Sequence, residues 1–263
     1  PKQLAKHGLK KAQVRFSDEA IREMIHGYTR ESGVRNLERT IAKACRKAAV
    51  IYAQDPETKR LTLTGSNLHE YLGVRKFLPD LLYAQNEVGL VTGLAWTSVG
   101  GDTLDVEVNV MDGSGKLELT GNLGDVMKES AHAAYSYIRA NANKLGIAAD
   151  FYKTKDIHVH FPEGAVPKDG PSAGITITTA LVSALSGLEG RSDVAMTGEV
   201  TLRGRVLPIG GLKEKTMAAY RSKMKTVLIP MDNKVDLHEV DRIVKENIRF
   251  VPVSQVSQVL EEA

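Results

Sequence analysis

Residues 173–186, AGITITTALVSALS, carry no charged side chain, and their apolar residues fall on every side of a helix. A helix of that kind cannot lie on a surface and has to be covered all round. The chain must therefore build layers about it, and the flanking sequence supplies them. Val106, Val108 and Val110 alternate with Asp105, Glu107 and Asn109, a strand with one buried and one polar face. Leu90–Ser98, Ile157–Phe161, Val194–Thr197, Val200–Leu207, Thr226–Pro230 and Ile248–Val253 also read as strands. Asp112-Gly113-Ser114-Gly115 is a turn, and Lys116–Thr120 is expected to return from it as a partner strand. Leu123, Val126, Met127, Ala134, Tyr137 and Ile138 mark a long helix, and Gly210-Gly211 opens another. Helix and strand alternating over ~180 residues predict an α/β (α+β) domain.

The first part of the chain reads differently. Ser17 is placed to cap a helix whose face is Ile21, Met24, Ile25 and Tyr28. Ser32-Gly33 breaks it, and a longer helix follows with Val34, Leu37, Ile41, Ala44, Cys45 and Ala48 on one face. Leu61–Thr64 is a short strand, and Asn67 caps a brief helix that stops at Gly73. Charge divides the chain in the same way. Residues 1–75 hold 15 Lys and Arg against 8 Asp and Glu, or +7, and the rest hold 20 against 24, or −4. The expected domains are a small, mostly helical module at 1–76 and a larger one at 77–263. The basic excess of the first fits weak DNA binding.

Composition narrows the rest. With 263 residues, 42% of them hydrophobic, the chain has enough material for a core. One cysteine, Cys45, rules out an internal disulfide framework and a cysteine-rich zinc site, and no metal is expected. No stretch of ~18 apolar residues suggests a membrane span. No secretory signal is visible, and a cytoplasmic setting is expected.

The chemistry sits just before the apolar helix, in PKDGPSAG at 167–174. Gly170, Pro171 and Gly174 permit a tight turn and close approach of another backbone to Ser172. Free N–H groups at the helix start would meet an oxyanion if Ser172 attacked a carbonyl. Taken alone, the serine reads first as a helix cap. A nucleophilic serine needs a base. His158 and His160 lie on one strand face upstream and, with Asp169, could imitate a Ser-His-Asp set. Lysine is the other candidate, since it acts as a base once desolvation makes it neutral. In GGLKEK, Lys213 and Lys215 point to different helix faces, so one can turn inward. Spacing does not choose between them. A reading of another class is a non-catalytic scaffold or nucleic-acid binder.

Three segments in order, PKDGPSAG at 167–174, TGEVTLRG at 197–204 and LPIGGLKEK at 207–215, resemble the proteolytic domain of the ATP-dependent Lon proteases of bacterial type. YTRESGVRNLERTIAKACRKAA at 28–49 resembles the small helical subdomain of the AAA+ module in the same family, and the likeness runs on to TVLIP at 226–230. The resemblance implies a Lon-type proteolytic domain preceded by that helical subdomain. It implies Ser172 as nucleophile, Lys215 as general base and Thr197 as the hydroxyl that hydrogen-bonds the lysine. It implies Asp169 as an acid that holds active or inactive arrangements, and support from Glu107, His158 and His160. Arg35 matches a sensor arginine for nucleotide. Tyr220 departs from the family, which often has histidine there. The resemblance further implies a homo-hexamer that degrades unfolded, damaged or tagged proteins, with ATP and Mg as cofactors of the full-length protein. No G-x-x-x-x-G-K-[ST] occurs in the chain, so no nucleotide cofactor is expected for these residues by themselves.

Overall fold

The computed structural model describes residues 1–29, 31, 33–77 and 85–263. The chain divides into two compact units, Pro1–Asp80 and Leu81–Ala263.

The first unit contains α1 (Lys2–Lys6), β1 (Val14–Phe16), α2 (Asp18–Glu23), α3 (Arg35–Gln54), β2 (Leu61–Leu63) and α4 (Leu68–Leu72). The Ser17 hydroxyl accepts from the Ala20 N–H at 3.0 Å and caps α2. The face expected from Ile21 to Tyr28 is interrupted, because Met24–Tyr28 form a wide π turn. Such a turn inserts a residue into the helical repeat, so Met24 and Tyr28 are buried and Ile25 is exposed. Ser32 of the expected break lies outside the described residues. Ala44, Cys45 and Ala48 of α3 are buried with Leu63 and Leu68 in this unit's own core. β1 is three residues long, too short to show a period in sequence, and pairs in parallel with β2. Asn67 does not cap α4 with its side chain. It accepts from the Thr64 N–H at 2.8 Å and donates to the Thr62 carbonyl at 2.9 Å, closing the turn ahead of the helix.

The second unit runs β3 (Glu87–Val88), β4 (Leu90–Thr97), β5 (Gly100–Asp112), β6 (Leu117–Thr120), α5 (Asp125–Asn141), α6 (Phe151–Thr154), β7 (Lys155–His160), α7 (Gly174–Ser186), β8 (Glu189–Gly190), β9 (Val194–Met196), β10 (Glu199–Val200), β11 (Val206–Leu207), α8 (Leu212–Arg221), β12 (Thr226–Pro230), α9 (Arg242–Asn247), β13 (Arg249–Val253) and α10 (Val256–Glu262). Among the described residues one sheet of seven strands has the order β13-β12-β9-β4-β5-β7-β6. The pairings make β5 the one strand of the seven that runs against the rest.

Alternation along the strands feeds two cores. Val106, Val108, Val159, Met196 and Leu228 face α5, α7 and α10. Leu94, Ala195, Val227 and Ile229 face α8 and α9. The charge-free helix α7 is buried from Gly174 to Ser183, as its composition demands. Two strand expectations change. Lys116–Thr120 does not pair with β5, because β7 inserts between them and takes β6 as a parallel neighbour. The stretch expected as one strand from Val200 to Leu207 turns back on itself, and β10 pairs antiparallel with β11.

Candidate active site

Parallel strands with helices on both faces place their loops, and commonly their ligands, at the carboxyl ends of the strands. Thr197 stands there, directly after β9. The turn that carries Ser172 enters α7 on one face of the sheet, and α8 brings Lys215 from the other.

Pro171–Ala173 form a 3-10 turn leading into α7. Gly170 precedes it at φ 111°, a backbone that side chains resist, which explains the glycine before the proline. Gly174 is required for another reason. A Cβ there would lie 2.6 Å from the Val200 nitrogen, so the close approach expected from a second molecule is made by the chain's own β10. Ser172 makes no capping bond, so the plain reading of it as a helix cap fails. Its carbonyl accepts from the Gly198 N–H at 2.8 Å, and the Ile175 N–H donates to the Gly198 carbonyl at 3.0 Å. These two bonds fasten the Ser172 turn to the segment after β9.

The Thr197 hydroxyl donates to the Ser172 carbonyl at 3.3 Å and accepts from Lys215 Nζ at 3.1 Å. Thr197 is fully buried and Lys215 is 2% exposed, whereas Lys213 on the next face of α8 is exposed. Burial strips water from the ammonium and lowers it from the ordinary 10.5 to about 8. A lysine at about 8 is roughly one-tenth neutral at pH 7. Among the described residues no hydrogen bond joins Ser172 Oγ to Lys215 Nζ; Thr197 joins the amine to the Ser172 carbonyl instead.

Asp169 is turned away from this chain of contacts. Its carboxylate accepts from the Met127 N–H at 3.0 Å and from the Gly170 N–H at 2.9 Å. It thus caps α5 from outside, beside the N-cap Gly124, where a Cβ would lie 2.3 Å from the carboxylate carbon. His158 Nε2 and His160 Nδ1 both meet Thr120 Oγ1 at 2.7 Å on the uncovered face of β6 and β7. Glu107 pairs with His160 across β5 and β7. Among the described residues no hydrogen bond ties His160 to Asp169 or Ser172, so a Ser-His-Asp set is not assembled. Arg35 is exposed at the start of α3 in the other unit.

Sequence reasoning missed two residues around Lys215, Asn233 and Gly101, and read Gly211 as the opening of a helix, which it is. Buried Asn233 accepts from the Ile209 N–H and donates to the Ile209 carbonyl, both at 2.9 Å, fixing the approach to α8. Gly211 takes a left-handed φ of 69° as the N-cap of α8, with the Trp96 side chain against it. Gly101 lies under Glu214. Nothing in the polar run around Asn233 or in the glycine pair Gly100-Gly101 marks them out in sequence.

Residues 62–263 match the Lon protease (S16) C-terminal proteolytic domain, and residues 5–61 match the Lon protease AAA+ ATPase lid domain. Over 263 residues the chain is 57% identical to the Lon protease of Heliobacterium modesticaldum and 54% identical to Lon protease 1 of Bacillus subtilis. Over 260 residues it is 55% identical to the Lon protease of Escherichia coli. It spans 32%, 34% and 33% of the length of these relatives, or about a third. With both regions matched in order along its length, the chain belongs to the Lon protease family and carries that family's lid region and C-terminal proteolytic domain.

Proposed function

We propose that the second unit hydrolyses peptide bonds of unfolded or damaged proteins with a Ser172–Lys215 dyad. The observation that carries this reading is the buried Lys215 amine, lowered to about 8 and held by Thr197, which is itself bonded to the nucleophile's own carbonyl. A neutral amine donates one N–H to Thr197 and keeps a lone pair for the Ser172 proton. Catalytic hydrogen bonds are often long before substrate binds and tighten with it.

Ser172 Oγ attacks the peptide carbonyl carbon as its proton passes to Lys215 Nζ. The carbonyl π pair moves onto oxygen. Gly174 N–H is taken by the Pro171 carbonyl, Ile175 N–H by Gly198 and Gly170 N–H by Asp169, so the donor that this turn can offer the oxyanion is the Ser172 N–H. Collapse breaks the C–N bond, and the Lys215 ammonium protonates the leaving amine. Water then attacks the Ser172 ester, returning its proton through Lys215 to Ser172. Asp169 supports the turn through α5, and Glu107, His158 and His160 line the polar sheet face without touching the dyad.

For the whole protein the proposal is ATP-dependent degradation by a homo-hexamer in the cytoplasm; the relatives' name, Lon protease, supports the proteolysis and the match to an AAA+ ATPase lid domain supports the part played by ATP. Within this chain the groups for ATP and Mg do not fit. Exposed Arg35 is present, and no phosphate-cradling loop accompanies it in the sequence. The basic excess of residues 1–75 supports weak DNA contact, to be read as binding that falls steeply with salt.

The decisive test is cleavage of an internally quenched, unstructured peptide. Ser172→Ala and Lys215→Ala are expected to abolish it, and Lys213→Ala to leave it largely intact. The reverse result for the two lysines would overturn the assignment.

A further inference from the structure

We propose that the closed end of the β4–β5 hairpin, the cross-strand pair Trp96 and Gly101, is the seat that positions Lys215. The inference rests on Lys215 being the general base and goes on to say what sets its place. β4 and β5 pair from Leu90 to Thr97, and Trp96 stands opposite Gly101 in that register. Both residues touch the first turn of α8. A Cβ on Gly101 would lie 1.9 Å from the Glu214 carbonyl oxygen, 2.4 Å from its carbon and 2.9 Å from the Lys215 nitrogen. These are backbone atoms of the helix, so no rotamer change relieves the clash. At the turn's start, a Cβ on Gly211 would meet the Trp96 Cβ, Cγ and Cδ1 at 3.1 Å. Arg221, at the far end of α8, donates to the Gly101 carbonyl at 2.6 Å. One strand residue thus receives the helix backbone from below and an arginine from the helix end.

The depth of that contact decides how far the Lys215 amine reaches past the sheet toward Thr197. Trp96 is 62% exposed, so hydrophobic burial does not explain its presence. Its contact with the left-handed Gly211 does, since that residue sets the direction of the helix. Three carboxylates on the elements against α8 have partners of their own. Asp105 accepts from Thr92, Asp236 from Asn233, Glu246 pairs with Arg242, and Asp102 sits beside Gly101 on β5. Among the described residues Lys215 Nζ makes one hydrogen bond, to Thr197, and burial is what lowers its proton affinity.

The test is the pH dependence of kcat/KM on the quenched peptide, together with titration of the Lys215 side chain by lysine-labelled NMR, in the 263-residue chain. The unsubstituted chain is expected to show an ascending limb with a midpoint near 8. Gly101→Ala lifts the first turn of α8 and lets water to the amine. The midpoint is expected to move up toward 10.5, with kcat/KM near neutral pH lowered on the order of a hundredfold. If Gly101→Ala fails to fold, Trp96→Ala gives the same reading, because removing an exposed ring spares the core; its midpoint is expected to move the same way with melting temperature nearly unchanged. A purely structural role would lower the melting temperature and leave the midpoint in place, and that result in either folded variant overturns the proposal. Absence of the limb in the unsubstituted chain, with no Lys215 titration near it, would instead sink the general-base reading itself.

Discussion

Thr197 determines what Lys215 can do. Its hydroxyl proton is committed to the Ser172 carbonyl, so toward Lys215 it can only accept. That fixes one N–H of the amine and leaves the lone pair to point elsewhere. Thr197→Val keeps the shape and removes the acceptor. The Ser172 carbonyl retains the Gly198 N–H, so the turn should persist. The amine, still buried, would lose the oxygen that stabilises its charged form, so its midpoint should fall below about 8 while kcat/KM drops on the order of a hundredfold. A rate loss without that downward shift would mean Thr197 acts on the serine turn and not on the lysine. The sign of the ordinary profile follows from the same group. Cleavage should rise with pH through about 8, because the base works only after losing its proton.

At the scale of elements, the least predictable feature is β6. A Gly-rich turn after β5 points to a hairpin, and the chain instead leaves room for β7 between the two strands. The residue that makes this workable is Asp156 at the start of β7. One carboxylate oxygen accepts from the N–H groups of Ser114, Gly115 and Lys116 at 2.8, 3.0 and 2.8 Å. Backbone donors that a hairpin would have satisfied with carbonyls are satisfied by a side chain from 40 residues or more away. Those bonds hold the Asp156 carboxyl below its ordinary 3.8. A depressed acid contributes stability above its unfolded value and loses it as pH falls through the folded one. Asp156→Asn should therefore melt earlier than the parent at neutral pH, and the gap should close as pH drops below 3.8. Melting curves across that range check it, and a pH-independent gap would remove charge from the explanation.

At the scale of the whole molecule, two units with separate cores and opposite charge balance sit on one chain, and the proposed dyad lies in the second. Without a phosphate-binding loop, the purified chain should neither hydrolyse ATP nor depend on it for cutting unstructured peptides; measurable ATP turnover would refute this. What was legible in the sequence is what local rules enforce. A helix with no charge had to be central, alternating valines had to be a two-faced strand, and the Ser17 hydroxyl had to cap. PKDGPSAG, TGEVTLRG and LPIGGLKEK carried the family likeness because short segments hold most of the site. Several decisions belonged to tertiary structure alone, because each depends on atoms distant in sequence. Which of Lys213 and Lys215 is buried depends on the sheet under α8. The use of Gly174 depends on where β10 passes, and that of Gly101 on where the helix backbone rests. Asp169 stands three residues before the serine, yet its carboxylate went to the N-terminus of α5, since unpaired helix N–H groups were the nearest donors that folding brought to it.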